Sequence, residues 1–313
     1  MGVRPRSGIR FKPGFGQPGG RSASPRRALA FGVAAVVLAG CMARRADPGA
    51  TLFLGDQVYA QRADVGLAAD VYRPSGAGPF PAVLLIHGGS WQRGDRHRMT
   101  EIGERLARHG YVAVSIDYRL APEHQFPAQL HDCQAAVRWM RREAARLAID
   151  PERIGAFGYS AGAHLAAMLA TTSRADGLDE LSDDAPSPRV QAAVLGAAPI
   201  DLSRFPENRA MRRLLGSTAA ERPDLYARAS PVNFVSPDDP PMFLYHGSSD
   251  WLVDVSQSRL MLEALDRVRV PAAYFETSGG HFSTFLFDDG PVEHAIAFLD
   301  QYLRPTKRAP AVN

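Results

Sequence analysis

Arg153-Ile-Gly-Ala-Phe-Gly-Tyr-Ser-Ala-Gly-Ala-His-Leu-Ala-Ala-Met-Leu-Ala170 changes character at its middle. Up to Phe157 it is short and apolar, which predicts a buried strand. From Ala161 it is small and apolar for long enough to predict a helix pressed against a sheet. Between them lies Gly158-Tyr-Ser-Ala-Gly162. A chain that turns from strand to helix over so few residues brings backbone against backbone, and glycines at 158 and 162 remove the Cβ atoms that would collide there. Such a turn lifts the Ser160 hydroxyl above the strand's carboxyl end and aims the first helical N–H groups at whatever sits beside it. The plainer reading is that Ser160 only caps a helix. What the rest of the chain can bring to that hydroxyl decides between them.

Upstream, two strands are expected near Leu52–Ala60 and Gly66–Tyr72. Pro81-Ala-Val-Leu-Leu-Ile86 is a continuous apolar run, the pattern of a central parallel strand buried on both faces. Thr100–His109 reads as a helix, Tyr111–Asp117 as a strand and Pro127–Leu147 as one long helix with proline at its start. Downstream, strands are expected at Val190–Ala197, Pro241–His246 and Ala272–Glu276, with helices at Ser256–Val268 and Val292–Leu303. Strands alternating with helices predict an α/β fold, a mostly parallel central sheet with helices on both faces and sites at the strands' carboxyl ends. Only Leu202–Pro240, rich in Pro, Arg, Asp and Ser, lacks a clean pattern. It is short, so little or no helical cap and an open, shallow site are expected.

A serine hydroxyl is a poor nucleophile near neutral pH and needs a base, which in turn needs orienting. After a serine turn of this kind the acid and then the histidine follow along the chain. The run ending Tyr245-His246-Gly247 leads to Asp250, and the run ending Thr277 leads to His281. Both lie just past strand ends, on the rim that carries Ser160. Asp250 is the expected acid and His281 the expected base; Asp254 competes as acid but is better placed to cap the next helix. Acyl transfer also needs donors for a developing oxyanion. His87-Gly-Gly-Ser-Trp91 follows the first central strand, and its paired glycines let N–H groups turn inward. The expected donors are the N–H groups of Gly88, Gly89 and Ala161. His87 is expected to brace this loop. Trp91 either lines a substrate pocket or belongs to the core, and Tyr159 is a further candidate for substrate contact.

Together, His87-Gly-Gly-Ser-Trp91, Asp117-Tyr-Arg-Leu-Ala-Pro-Glu-His124 through Phe126-Pro127, Gly158-Tyr-Ser-Ala-Gly162, His246-Gly-Ser-Ser-Asp250 and Gly280-His281 resemble α/β-hydrolases of the hormone-sensitive-lipase-like and BD-FAE-like esterase group. The similarity runs from about residue 56 to residue 303. It implies a single-domain α/β-hydrolase and a serine carboxylesterase with Ser160, Asp250 and His281 as triad. It also implies that Asp117, Arg119, Glu123 and His124 brace the oxyanion loop. Ser90 stands where lipase-like members often carry a third glycine. With the missing cap, this leans toward the smaller BD-FAE-like or formamidase-like branches.

The chain's basic balance does not point to nucleic acid. Of its 36 Lys/Arg, seven fall within residues 1–41, which hold no Asp/Glu; the remainder has 29 basic against 33 acidic residues, a net of −4. That leader is basic and rich in Gly, Pro and Ser up to residue 27, then apolar for 13 residues from Ala28 to Gly40. The run is short for a membrane span and suits a signal-peptide core. Leu38-Ala-Gly-Cys41 resembles a bacterial lipobox, which implies a lipoprotein-type signal peptide at 1–40 and diacylglycerol on Cys41. The expected organisation is therefore signal peptide 1–40, tether 41–50, hydrolase domain 51–304 and a C-terminal tail 305–313. Met42 after that cysteine, by resemblance to bacterial lipoproteins, favours an outer-membrane anchor facing the periplasm. Cys133 is expected to be a buried small hydrophobe.

The expected activity is hydrolysis of short acyl esters by a Ser-His-Asp triad through an acyl-enzyme, without cofactor or metal. Alternatives are an arylformamidase acting on N-formylkynurenine-type amides, or an acetyl-xylan or feruloyl-type esterase. From a different class, a catalytically silent hydrolase fold could serve as an envelope binding protein.

Overall fold

The apolar runs all become strands of one sheet. In chain order the elements are β1 (Thr51–Arg62), β2 (Val65–Pro74), β3 (Phe80–Ile86), α1 (Thr100–Arg108), β4 (Val112–Ile116), α2 (Ala128–Arg142), α3 (Ala144–Leu147), β5 (Ile149–Tyr159), α4 (Ala161–Thr171), β6 (Ala192–Gly196), α5 (Arg209–Leu215), α6 (Pro223–Arg228), β7 (Met242–Gly247), α7 (Ser256–Arg267), β8 (Ala272–Thr277), α8 (His281–Leu286) and α9 (Gly290–Leu303). This computed structural model describes residues 50–62, 65–180, 185–205, 208–286 and 289–304. The expected signal segment, Cys41, nearly all of the tether and the 305–313 tail lie outside them.

The sheet order is β1-β2-β4-β3-β5-β6-β7-β8. β2 is antiparallel to both β1 and β4, and every other neighbouring pair is parallel. Alternation along the strands divides the core in two. Ala82, Leu84 and Ile86 of β3, with Met242 and Leu244 of β7, pack toward Leu130 and Cys133 of α2, Leu165 of α4 and Leu265 of α7. Val83, Leu85, Phe243 and Tyr245 face the other way, toward Leu106 of α1 and Leu299 of α9. Helices thus cover both faces, which is why the central strands read as unbroken apolar runs. α4 is buried all round, so its sequence shows no polar stripe. Cys133 is a fully buried free thiol in this core.

Three stretches before β7 differ from expectation, and a fourth, α8 at His281–Leu286, is a helix where none is expected. The long helix is interrupted at Glu143, whose ψ of 10° separates α2 from α3. β5 begins at Ile149 rather than Arg153, because Ile149 pairs with Phe80 across an irregularity in the ladder. No apolar pattern marks Asp150-Pro-Glu-Arg153, so pairing extends the strand beyond what periodicity reveals. Between Leu202 and Phe234 the patternless stretch folds into α5, α6 and two 3-10 turns. Among the described residues no helix is long and apolar enough to cross a membrane.

Candidate active site

The carboxyl ends of β3, β5, β7 and β8 supply the site. Ser160 follows β5 in a left-handed conformation (φ 55°, ψ −120°), and its N–H donates to Gly196 O of β6 at 2.7 Å. A Cβ on Gly162 would lie 2.0 Å from Ile86 O and 2.6 Å from His87 O. The closeness of α4 to the end of β3 therefore depends on that glycine. The non-glycine residues Ser90, Trp91, Ser160 and Ala197 all have positive φ, at strand ends around the site. Backbone strain is thus gathered where function is expected.

His281 Nε2 lies 2.9 Å from Ser160 Oγ, and His281 Nδ1 lies 2.6 Å from Asp250 Oδ2. The structure thus brings together the three residues expected to form the triad. Burial alone would raise the Asp250 pKa, but hydrogen bonds from His246, His281 and the Val253 N–H outweigh it and hold the carboxyl well below its ordinary value. A carboxylate only accepts, so Nδ1 of His281 carries the proton and Nε2 is left to accept from the Ser160 hydroxyl. Asp254 instead accepts the Ser256 N–H at 2.9 Å at the start of α7.

Gly88 and Gly89 border the same cavity as Ser160. Their N–H groups donate to no protein acceptor among the described residues. Ala161 is the first residue of α4, so its N–H has no partner within the helix. Gly89, at φ +127°, closes a turn that accepts the N–H groups of Gln92 and Arg93. His87 is buried and stacked on Tyr118 with ring centroids 4.3 Å apart, its Nδ1 2.7 Å from Gly88 O. Burial pushes its pKa down. The loop's brace is Tyr118, whose hydroxyl donates to His87 O at 3.0 Å, and Ala121, whose N–H donates to Trp91 O at 2.8 Å. Arg119 in the same stretch is held by Asp132, and Asp117 by Arg96.

Trp91 and Tyr159 each border a cavity at Ser160, and each is also held by a polar contact of its own. The Trp91 ring is 2% exposed, and its indole N–H donates to His164 Nδ1 at 3.2 Å. The Tyr159 ring borders the cavity and stacks on Phe285, but its hydroxyl is committed to the backbone carbonyl of His281.

Two histidines escaped the sequence reading. His164, one turn into α4, accepts from Trp91 through Nδ1 and lies 2.7 Å from Ala229 O through Nε2. It fastens the oxyanion loop, α4 and the segment after α6 to one another. Burial, partly opposed by that carbonyl, brings its pKa down to about 4. His246 Nδ1 is 2.7 Å from Ser258 Oγ, and its Nε2 is shared between Val253 O at 2.8 Å and Asp250 Oδ2 at 3.2 Å. A histidine within an otherwise Ala-rich buried helix, and another four residues before the acid, were the available signals.

Two cavities meet at Ser160. One of about 290 Å³ is lined by Ser160, His281, Phe282, Phe285, Arg93 and Arg98, among others. The other, about 110 Å³, is lined by Trp91, Ala161, Pro199, Phe205, Met211 and Leu252 among others, without His281. Among the described residues no group of three His, Cys, Asp or Glu side chains is gathered as a metal ion would require.

The family model BD-FAE matches residues 69–265. Esterase LipC of Mycobacterium tuberculosis is 32% identical over 72% of this chain and 59% of its own, so the chain spans about three-fifths of that relative. A truncated carbohydrate esterase from gut microbiota is similar in structure with TM-score 0.71 and 27% identity, covering 82% of this chain and 98% of that one. The butyrate-bound esterase Est2 of Thermogutta terrifontis gives TM-score 0.68 and 28% identity, covering 80% of this chain and 95% of that one.

Proposed function

The chain belongs to the BD-FAE family of α/β-hydrolases, and on that premise we propose that it is a serine carboxylic-ester hydrolase acting on short acyl esters. The observation that carries this reading is the hydrogen-bonded row Asp250–His281–Ser160 beside the N–H groups of Gly88 and Gly89, which donate to no acceptor among the described residues. In this mechanism His281 Nε2 takes the Ser160 proton as Oγ attacks the ester carbonyl. The oxyanion gathers donors from Gly88, Gly89 and Ala161. Collapse breaks the bond to the alcohol oxygen, which leaves with the proton from His281. Water, deprotonated by the same imidazole, then cleaves the acyl-enzyme and restores Ser160.

This chemistry assigns the two cavities. The departing oxygen must reach His281 Nε2, so the alcohol occupies the larger cavity, which His281 lines. The acyl group then faces the smaller, mostly apolar one beside Ala161. A space of about 110 Å³ favours acetyl to butyryl over laurate. The butyrate bound by Est2, a structural neighbour, supports the same preference.

The test is turnover of p-nitrophenyl acetate, butyrate and laurate, with fluorophosphonate labelling, by wild type and Ser160→Ala. Expected are labelling lost in the variant, a fall in kcat on the order of 10⁶-fold and kcat/KM for laurate well below butyrate. A folded wild type that takes no label and hydrolyses no ester overturns the reading in favour of a silent fold. For location, we propose a bacterial lipoprotein anchored through Cys41 at the outer membrane, supported by Leu38-Ala-Gly-Cys41 after the apolar run.

A further inference from the structure

Three arginines lie on the segment that leaves the oxyanion loop, and they are not used alike. Arg96 is fully engaged: its Nε is 3.0 Å from Asp70 Oδ1, its Nη1 is 2.6 Å from Asp117 Oδ2, and it also pairs with Asp56. This network fixes the 3-10 turn Arg96–Met99 that carries Arg98. Arg93 is fixed from behind by its backbone, since its N–H donates to Gly89 O at 3.2 Å. Yet the guanidinium groups of Arg93 and Arg98 pair with no carboxylate among the described residues. Asp95, between them in sequence, is turned to His97, whose N–H it accepts at 3.0 Å.

Both arginines line the cavity of about 290 Å³ that contains Ser160 and His281, and among the described residues no Asp or Glu lines it. Glu101 and Asp289 border a neighbouring cavity on the other side of Arg98, where Asp289 is paired with Arg105. Among the described residues Arg93 has no such acidic neighbour in either cavity it borders. Besides Ser90 and the glycines, the rest of the larger cavity's described wall is apolar or aromatic, with Tyr159, Leu252, Phe282 and Phe285. Two exposed cations, with no carboxylate partner among the described residues, stand beside the leaving-group position and form a charge pattern that an anion completes.

We propose that the natural substrate carries an anionic group, carboxylate or phosphate, on its alcohol portion, and that Arg93 and Arg98 bind it there. This rests on the ester-hydrolase reading and on the assignment of the alcohol to the cavity that His281 lines. Neutral esters still reach Ser160, but without this contact.

The test holds acyl group and ring constant while changing charge. kcat/KM is measured for para-acetoxybenzoate, its neutral methyl ester and para-acetoxyphenyl phosphate, with wild type, Arg93→Gln, Arg98→Gln, the double variant and Arg93→Lys. The readout is the ratio of an anionic ester to the neutral one within each variant, so general losses cancel. A guanidinium that hydrogen-bonds an anion is worth about tenfold, so each Gln variant should lower the ratio about tenfold and the double variant further. Arg93→Lys should retain part of it, and added salt should lower it in wild type. Dependence in the benzoate arm alone identifies a carboxylate, and in the phosphate arm alone a phosphate. A ratio that stays the same in the double variant for both anions overturns the proposal. Failure of wild type to hydrolyse even the neutral ester overturns instead the ester reading beneath it.

Discussion

Tyr159 precedes the nucleophile, yet its hydroxyl reaches across to the carbonyl of His281, and its ring packs 5.3 Å from the imidazole. One side chain thus ties the end of β5 to the loop that carries the proposed base. Tyr159→Phe deletes only that buried hydroxyl, leaving the His281 carbonyl without its donor, a loss of about 1–3 kcal/mol. Because the bond positions the imidazole rather than the substrate, kcat should fall about tenfold while KM for p-nitrophenyl butyrate stays within about twofold. A change confined to KM would return Tyr159 to substrate contact. At this scale the sequence reveals what depends on chain order. Ser160, Asp250 and His281 each follow a recognisable strand, so the fold alone places them on one rim. It conceals what depends on who faces whom. Nothing local separates Arg96, held by three carboxylates, from Arg93 and Arg98, which have none among the described residues. The same blindness hid Tyr118, whose bond to His87 O spans 31 positions.

Periodicity located the strands because both faces of the sheet are covered, and it failed where pairing or side-chain fastening replaces burial. α5 is too short to show its rhythm clearly: Met211, Leu214 and Leu215 make one buried face, and its start is set by Asn208, whose side chain accepts the N–H groups of Ala210 and Met211. α8 is also too short to show a rhythm, though it begins at His281 itself. What joins this irregular layer to the regular one is His164, between Trp91 and Ala229. Its neutral form is required, because Nδ1 accepts from an indole N–H. With its pKa lowered from 6.5 to about 4 by burial, the folded state resists a proton that the unfolded chain takes readily. Its contribution is therefore complete above pH 6.5 and is lost as pH falls toward 4, amounting to about 3 kcal/mol. His87, also lowered by burial, works in the same direction. Asp250, held low instead, loses its contribution only below the ordinary carboxylate range. Urea midpoints of wild type should therefore drop between pH 6.5 and 4.5, and those of His164→Phe should drop less, despite a lower stability at pH 7. Parallel slopes in the two proteins would show that protonation of His164 is not involved.

For the molecule as a whole, charge and greasiness are distributed unevenly along the chain rather than over the fold. The excess of positive charge lies in residues 1–41, and the remainder is net −4. A hydrolase domain of that sign has no electrostatic attraction to an anionic bilayer, and among its described residues no helix is long and apolar enough to cross one. The attachment proposed at Cys41 is through acyl chains. A single chain binds only marginally, whereas the diacylglycerol expected on Cys41, with its two chains, anchors stably. Substituting Cys41→Ser in the full chain removes the acceptor sulfur. In bacteria fed radiolabelled palmitate, wild type should incorporate label and partition into detergent on phase separation. Cys41→Ser should take up none and move to the aqueous phase, with p-nitrophenyl butyrate turnover unchanged within about twofold. Label and detergent partitioning that survive the substitution would mean attachment at another residue, and the anchor proposed at Cys41 would be wrong.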